Sequence, residues 1–347
     1  MDSMGQLWGI VLAAGNGKRL ESFLRRRGHH LPSKQFCAVI GHRTMLQHTW
    51  HRVEMMVPRE KLITVVDAGH REPFRKQLSE RLAGTVVYQP TNCETAPGTM
   101  LPLAHVLQGD PNAVVAIFPS DHFVEEENRF MGYVQIAEWL VRRRLWDVAL
   151  LGIQPDRPDP DYGWIEVRRS GRHSKSRVWP VERFWEKPDP LLSRRLYEGG
   201  HLWSTMVIVA RGARLWELVL DAQPELRRPF ECIRQALRTP REESEVRAAY
   251  GAMRSMSLSR DVFERVTSCL AVVEVRDVHW NEWGREERVA ETVRRLGRDS
   301  DAPGAGFELC REENACLDIV KAIQAQRPGG ACSARSRPTP GFRGAPR

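Results

Sequence analysis

Five short segments of this 347-residue chain combine side chains that handle phosphate, a divalent cation or a polyol. Leu12-Ala13-Ala14-Gly15-Asn16-Gly17-Lys18-Arg19-Leu20 sets two glycines directly behind an apolar run. Glycines there let backbone approach a ligand and offer N–H groups to phosphate oxygens, and Lys18 and Arg19 add positive charge. No Gly stands five residues before Gly17 and no Ser or Thr follows Lys18, so this is not a Walker A loop. Leu20 in the place of a third glycine excludes a dinucleotide fingerprint. Read alone, the segment is as much an ordinary βα turn as a phosphate loop.

Phe118-Pro119-Ser120-Asp121-His122-Phe123 ends an apolar run on a carboxylate, where open α/β sheets bind ligands. Asp121 is a hard oxygen donor suited to magnesium carrying nucleotide phosphates. The competing reading is a helix N-cap ahead of Glu125–Glu127. Trp280-Asn281-Glu282-Trp283-Gly284 offers a second carboxylate that could share the ion, although on its own it reads better as a capped helix start. In Phe184-Trp185-Glu186-Lys187-Pro188 an acid and a base stand side by side in an extended segment and so point to opposite faces. One could bond a polyol and the other a phosphate; the alternative is an exposed charged turn. Asp161-Tyr162-Gly163-Trp164-Ile165-Glu166 suits either a sugar ring, met by bare glycine backbone and aromatics, or a turn into a strand.

These segments need a scaffold. Strands are expected at Gln6–Leu12, Leu62–Val66, Thr85–Tyr88, Ala113–Phe118 and Val148–Ile153, with helices at Thr44–Met56, Pro73–Leu82, Thr99–Leu107 and Arg129–Arg143 between them. Alternation of strand and helix, with continuous apolar strands, predicts an α/β fold whose mostly parallel sheet is covered on both faces. After Pro155 the pattern becomes less regular. Strands at Gly163–Arg168, Val178–Trp185, Leu202–Val209 and Cys269–Val275, and helices at Arg214–Ala222, Phe230–Leu237 and Glu242–Met253, predict an α+β portion built onto the same sheet. The expected organisation is one domain over 5–298, divided into halves 5–154 and 155–298. A tail follows over 299–347, with one short helix at Leu317–Gln326 and otherwise no fixed structure.

Composition narrows the partners. The formal charge is +8, but the segment from Ile319 to Arg347 holds six basic residues and no acidic one, leaving +2 for the body. A broad nucleic-acid face is therefore not expected. No run of about 18 apolar residues marks a membrane span. The start has no basic region ahead of an apolar one, which argues against a secretory signal. Seven widely spaced cysteines without a C-x-x-C fit reduced thiols of a cytoplasmic protein.

In this order the segments resemble the sugar-phosphate nucleotidylyltransferases, and within them the mannose-1-phosphate guanylyltransferases. The matching pieces are LAAGNGKRL (12–20), SKQF (33–36), QPTNCETAPGTMLPLAH (89–105), FPSDHFV (118–124), YGWIEV (162–167), FWEKPD (184–189), LWSTMVIVAR (202–211) and HWNEWGREERV (279–289). The resemblance implies a Rossmann-like domain with a mixed central sheet, and transfer of GMP from GTP to mannose 1-phosphate with magnesium as cofactor. It implies a nucleotide site at Ala13, Ala14, Gly15, Asn16, Gly17, Lys18, Gln89, Thr95, Ala96 and Pro97. It further implies catalytic roles for Arg19, Lys34 and Asp121, magnesium ligands in Asp121 and Glu282, and hexose-phosphate contacts from Gly163, Glu186, Lys187 and Ser204. A homo-oligomer is compatible with it. Four positions depart from the family pattern: Glu282 stands for Asp, Ser204 for Asn, Cys93 for a basic residue and Ser33 for Pro. A thymidylyl or uridylyl transferase, or a weakly active binding paralogue, are the other readings of the same residues.

Overall fold

The computed structural model describes residues 6–26, 33–78, 84–169 and 177–299. The expectations for the tail lie outside the described residues. The strands are β1 (Trp8–Ala13), β2 (Leu62–Asp67), β3 (Thr85–Gln89), β4 (Val114–Pro119), β5 (His122–Val124), β6 (Val148–Ile153), β7 (Gly163–Val167), β8 (Val178–Glu186), β9 (Leu202–Arg211), β10 (Leu270–Val275) and β11 (Trp280–Glu282). The α-helices are α1 (Glu21–Arg26), α2 (Met45–Val53), α3 (Arg71–Gln77), α4 (Thr95–Gly109), α5 (Glu127–Arg142), α6 (Pro190–Glu198), α7 (Gly212–Ala222), α8 (Arg227–Ala236), α9 (Glu242–Ala252) and α10 (Glu286–Asp299). Among the described residues no helix is long and apolar enough to cross a membrane.

Nine strands form one sheet in the order β3-β2-β1-β4-β9-β6-β10-β8-β7, with β7 also pairing β9. All but β8 and β9 point the same way, but those two sit inside the sheet, so it is mixed, with four parallel and five antiparallel pairings, rather than mostly parallel as expected. Strands from before and after residue 155 share it. The continuous apolar runs follow from burial on both faces. In β1, Ile10 packs with α4 and α7 on one side, while Val11 and Ala13 pack with α2 and α5 on the other. In β4, Val115 and Ile117 face the first layer, and Val114, Ala116 and Phe118 the second. A third, smaller cluster of Leu20, Phe23, Leu24, Cys37, Met45, Trp283 and Val289 ties α1 and α10 together beside the ends of β1 and β4.

Most expected elements occur within a few residues of their expected bounds. Helix α4 begins at Thr95 instead of Thr99, because Pro97 falls in the first turn, where its missing N–H costs nothing. Helix α6, with Asp189 as N-cap and Pro190 at its start, stands in what reads as loop. Two three-residue strands also go beyond the sequence pattern. They are β5 and β11, which pair antiparallel with Trp280 opposite Val124 and Glu282 opposite His122.

One glycine marks how tightly the sheet is stacked. A Cβ at Gly152 in β6 would lie 2.6 Å from Val272 Cγ2 and 3.0 Å from Leu202 Cδ1. Gly152→Ala is expected to destabilise the fold by about 1–3 kcal/mol through overpacking. Urea denaturation checks this; unchanged stability would mean that β9 and β10 shift freely at this point.

Candidate active site

The glycine loop after β1 is held by its carbonyl groups. Ser33 Oγ donates to the Gly15 carbonyl at 2.6 Å, and Gln35 Nε2 to those of Ala13 and Gly15 at 3.0 and 2.9 Å. Asn92 Nδ2 donates to the Ala14 carbonyl at 3.3 Å. Gly17 has φ +58°, and a Cβ there would come within 2.9 Å of the Lys34 backbone nitrogen. The loop and the Ser33-Lys34-Gln35 turn thus form one packed unit, and only glycine fits at their contact. The chain then enters a short turn at Lys18–Leu20 and helix α1.

Lys34 is 8% exposed. Its Nζ lies 2.9 Å from Asp121 Oδ2 and donates to the Trp283 carbonyl at 2.7 Å. A buried ammonium without a partner would be prohibitive, so these two oxygens determine where it sits. Burial works to raise the Asp121 carboxyl, but the Lys34 charge, joined by His122, outweighs it and holds the group below the usual carboxylate range. His122 Nε2 is 3.7 Å from Asp121 Oδ1. Burial lowers the His122 imidazole against the pull of Asp121 and Glu282. Arg52, buried in α2, bonds the His122 carbonyl at 3.4 Å and Glu127 Oε1 at 3.1 Å, which steadies the segment from Asp121 into α5.

The β5–β11 pairing brings Glu282 beside this group, and Glu282 Oε1 lies 3.6 Å from Arg19 Nη2. A Cβ at Gly284 would stand 3.0 Å from the same oxygen, so a bare backbone makes room for the carboxylate. Both helix-start readings are thereby corrected. The N-cap of α5 is Glu126 rather than Asp121, and α10 begins at Glu286, past Glu282. Asp121 instead directly precedes the ribbon, and Glu282 ends its second strand, opposite His122.

The other expected residues fall into two groups. Gln89 ends β3, is 1% exposed, and its Oε1 has no partner among the described residues. Thr95, Ala96 and Pro97 form the first turn of α4, but their polar groups already serve the fold. Thr95 Oγ1 accepts from Leu258 N, Ala96 N donates to the Met256 carbonyl, and the Tyr250 hydroxyl donates to the Pro97 carbonyl. Cys93 beside them is buried and bonds the Tyr250 carbonyl. On the other side, Gly163 pairs with Glu186 across β7 and β8, and a Cβ at Gly163 would meet Glu186 Oε2 at 3.2 Å. Lys187 Nζ is 3.4 Å from Glu186 Oε1. Burial lifts the Glu186 carboxyl above its usual range despite Lys187, and the nearby Glu282 charge adds to the lift. Ser204 is buried in β9, where its Oγ accepts from Met206 N at a bulge with φ +54°. Sequence reasoning gave no role to Gln35, Asn92, Arg52 or the Trp283 carbonyl, and named Ser33 only as a departure from the family pattern. All but Arg52 lie in segments that carry the resemblance.

A glycine loop at a strand end, a buried lysine and two carboxylates on a ribbon define an α/β site for phosphoryl chemistry. The chain belongs to the nucleotidyl transferase family, whose model matches residues 8–228. It is 26% identical over 313 residues to the xanthan biosynthesis protein XanB of Xanthomonas campestris pv. campestris (strain B100), covering 88% of this chain and 63% of that one. It is 24% identical over 220 residues to a mannose-1-phosphate guanylyltransferase of Escherichia coli, covering 62% of this chain and 45% of that one. The chain thus spans less than two thirds of the length of either relative. In fold it is similar to a Thermus thermophilus protein described as a mannose-1-phosphate geranyltransferase, with a TM-score of 0.68, 22% identity, and 81% and 77% of the two chains covered.

The raised Glu186 carboxyl yields a test. A carboxyl whose folded pKa lies above its unfolded value adds stability below the unfolded pKa and loses that contribution as pH rises through the folded one. At pH 8 the charged form is a cost. Glu186→Gln is expected to melt higher than wild type at pH 8, with the gap closing towards about pH 4, near the ordinary carboxylate range. Thermal scans at both pH values check this. A lower melting point at pH 8 would show that the Lys187 contact outweighs burial.

Proposed function

We propose that the chain is a mannose-1-phosphate guanylyltransferase, transferring GMP from GTP to mannose 1-phosphate to give GDP-mannose and pyrophosphate. The observation that carries the reading is the Lys34–Asp121 and Arg19–Glu282 pairs, set beside the glycine loop by the β5–β11 ribbon. The names of the relatives support the choice of base and sugar. The cysteines described are free thiols, which supports a cytoplasmic setting.

Magnesium suits this donor set. Asp121 and Glu282 are hard oxygen donors, and among the described residues no group of three or more His, Cys, Asp or Glu is arranged to hold a metal. Magnesium is commonly held by one or two carboxylates, with waters and substrate phosphates completing its shell. When bound, such an ion withdraws charge from the phosphoryl group in transfer.

The protein's own residues supply positioning and charge. The N–H groups of Gly15–Lys18 would cradle the nucleotide phosphates, and the base would lie beside Gln89 and the Thr95–Pro97 turn. Lys34 would neutralise the transferring phosphoryl group, and Arg19 the departing pyrophosphate. Gly163 and Glu186 would hold hexose hydroxyls, Lys187 the sugar phosphate, and Ser204 would shape the wall behind them. A phosphate oxygen of the sugar phosphate attacks the α-phosphorus as the bond to pyrophosphate breaks. Nucleophile and leaving group are already anionic, so no general base is required, and catalysis rests on alignment and charge neutralisation.

Pyrophosphate release over a panel of nucleotides and hexose 1-phosphates, with and without magnesium, tests the proposal. Turnover confined to another pair would refute it. Within that assay, Glu282→Asp is expected to retain activity, and Glu282→Gln to lose much of it together with apparent magnesium affinity. Equal behaviour of Glu282→Gln and wild type at limiting magnesium would remove Glu282 from the metal site.

A further inference from the structure

Helix α10 leaves the carboxylate ribbon and lies against the loop that feeds Gly163. The helix lies beyond the span matched by the family model. The outer pairs are partly solvated: Arg157 Nη1 and Nη2 form a fork with the Glu291 carboxylate at 3.3 Å each, and Arg285 pairs with Asp161. Such pairs contribute little individually. Arg288 differs, with 4% of its side chain exposed. Its Nη2 lies 2.8 Å from Asp159 Oδ2 and 3.4 Å from Asp161 Oδ2, and its guanidinium stacks 4.0 Å over the Tyr162 ring. The loop itself is organised around Asp159, which accepts from Asp161 N through Oδ1 and from Trp164 Nε1 through its carbonyl.

The circuit closes on the ribbon. The Tyr162 hydroxyl donates to Asn281 Oδ1 at 3.4 Å, and Asn281 Nδ2 donates to the Arg288 carbonyl at 3.4 Å. Tyr162 directly precedes Gly163, and Asn281 directly precedes Glu282. One buried arginine therefore joins the two residues that neighbour the two halves of the site. Packing alone does not explain an arginine here. Its Nη1 is buried without a partner among the described residues, a cost that an apolar replacement of the whole cluster would remove.

We propose that Arg288 is a positioning residue that fixes the hexose-phosphate side, Gly163 with Glu186, against the ribbon bearing Asp121 and Glu282. The identity of the ligands rests on the function proposed above; the clasp itself does not. Lysine would keep the charge but lose both the two-aspartate reach and the stacking on Tyr162.

The test compares wild type, Arg288→Lys and Arg288→Met, with Glu291→Gln as a control on the outer pair. The KM for mannose 1-phosphate is expected to rise about ten- to hundredfold in Arg288→Met, and less in Arg288→Lys, while the KM for GTP changes less than about twofold. Glu291→Gln should stay near wild type in both. No change in either constant, or a parallel rise in both, overturns the proposal, since general loosening would not single out one substrate. If Arg288→Met does not fold, Arg288→Lys carries the same split. If wild type turns over none of the nucleotide and hexose 1-phosphate panel, the functional reading falls and amide hydrogen exchange decides the clasp. Faster exchange at 157–165 and 280–283 in the variants, with β1 and β4 unchanged, supports it. Unchanged exchange at those segments overturns it.

Discussion

A buried ammonium cannot sit without oxygen partners, and Lys34 finds them on two segments remote in the chain, at the Asp121 carboxylate and the Trp283 carbonyl. That requirement orders the neighbourhood. The residues on either side of Lys34 hold the carbonyls of the glycine loop, so the same turn that buries the cation also shapes the loop. Asp121 remains ionised because Lys34 outweighs its burial. The ribbon that brings Glu282 alongside is the one whose following residue caps the ammonium.

The nine-stranded sheet places these groups but does not itself contain them. Its buried strands carry apolar side chains on both faces, and the polar residues gather at strand ends and on the small ribbon. The two reversed strands, β8 and β9, fold the later half of the chain back onto the sheet and bring Glu186 and Ser204 towards the same end. In the strand pairing of Gly163 with Glu186 the carboxylate lies against the space that a Cβ would take.

Much of this frame is legible in the sequence because strands buried on two sides leave uninterrupted apolar runs, and amphipathic helices leave spaced ones. The glycine loop and the acidic and basic pairs are visible by residue type and position. What escaped is pairing. A three-residue strand such as β5 or β11 is too short to show a period, so Glu282 taken singly reads better as a helix start, and Asp121 keeps a helix N-cap as its competing reading. The roles of Ser33, Gln35 and Arg52 are tertiary, set by which carbonyl lies within reach, and leave no local pattern. Helix α6 did have a local signal, Asp189 followed by Pro190, masked by the charged segment before it.

The contact between Lys34 and Trp283 spans 249 residues of chain. Ribosomes add about 5–20 residues per second, so on the order of ten to fifty seconds separate the appearance of the two partners. Throughout that interval the growing polypeptide has its glycine loop but neither Glu282 nor the carbonyl that seats the lysine. The strand carrying His122 likewise waits for β11, its pairing partner in the ribbon. A product stalled before residue 280 would therefore carry the Lys34 ammonium with one of its two oxygen partners missing, and β5 without the strand it pairs with.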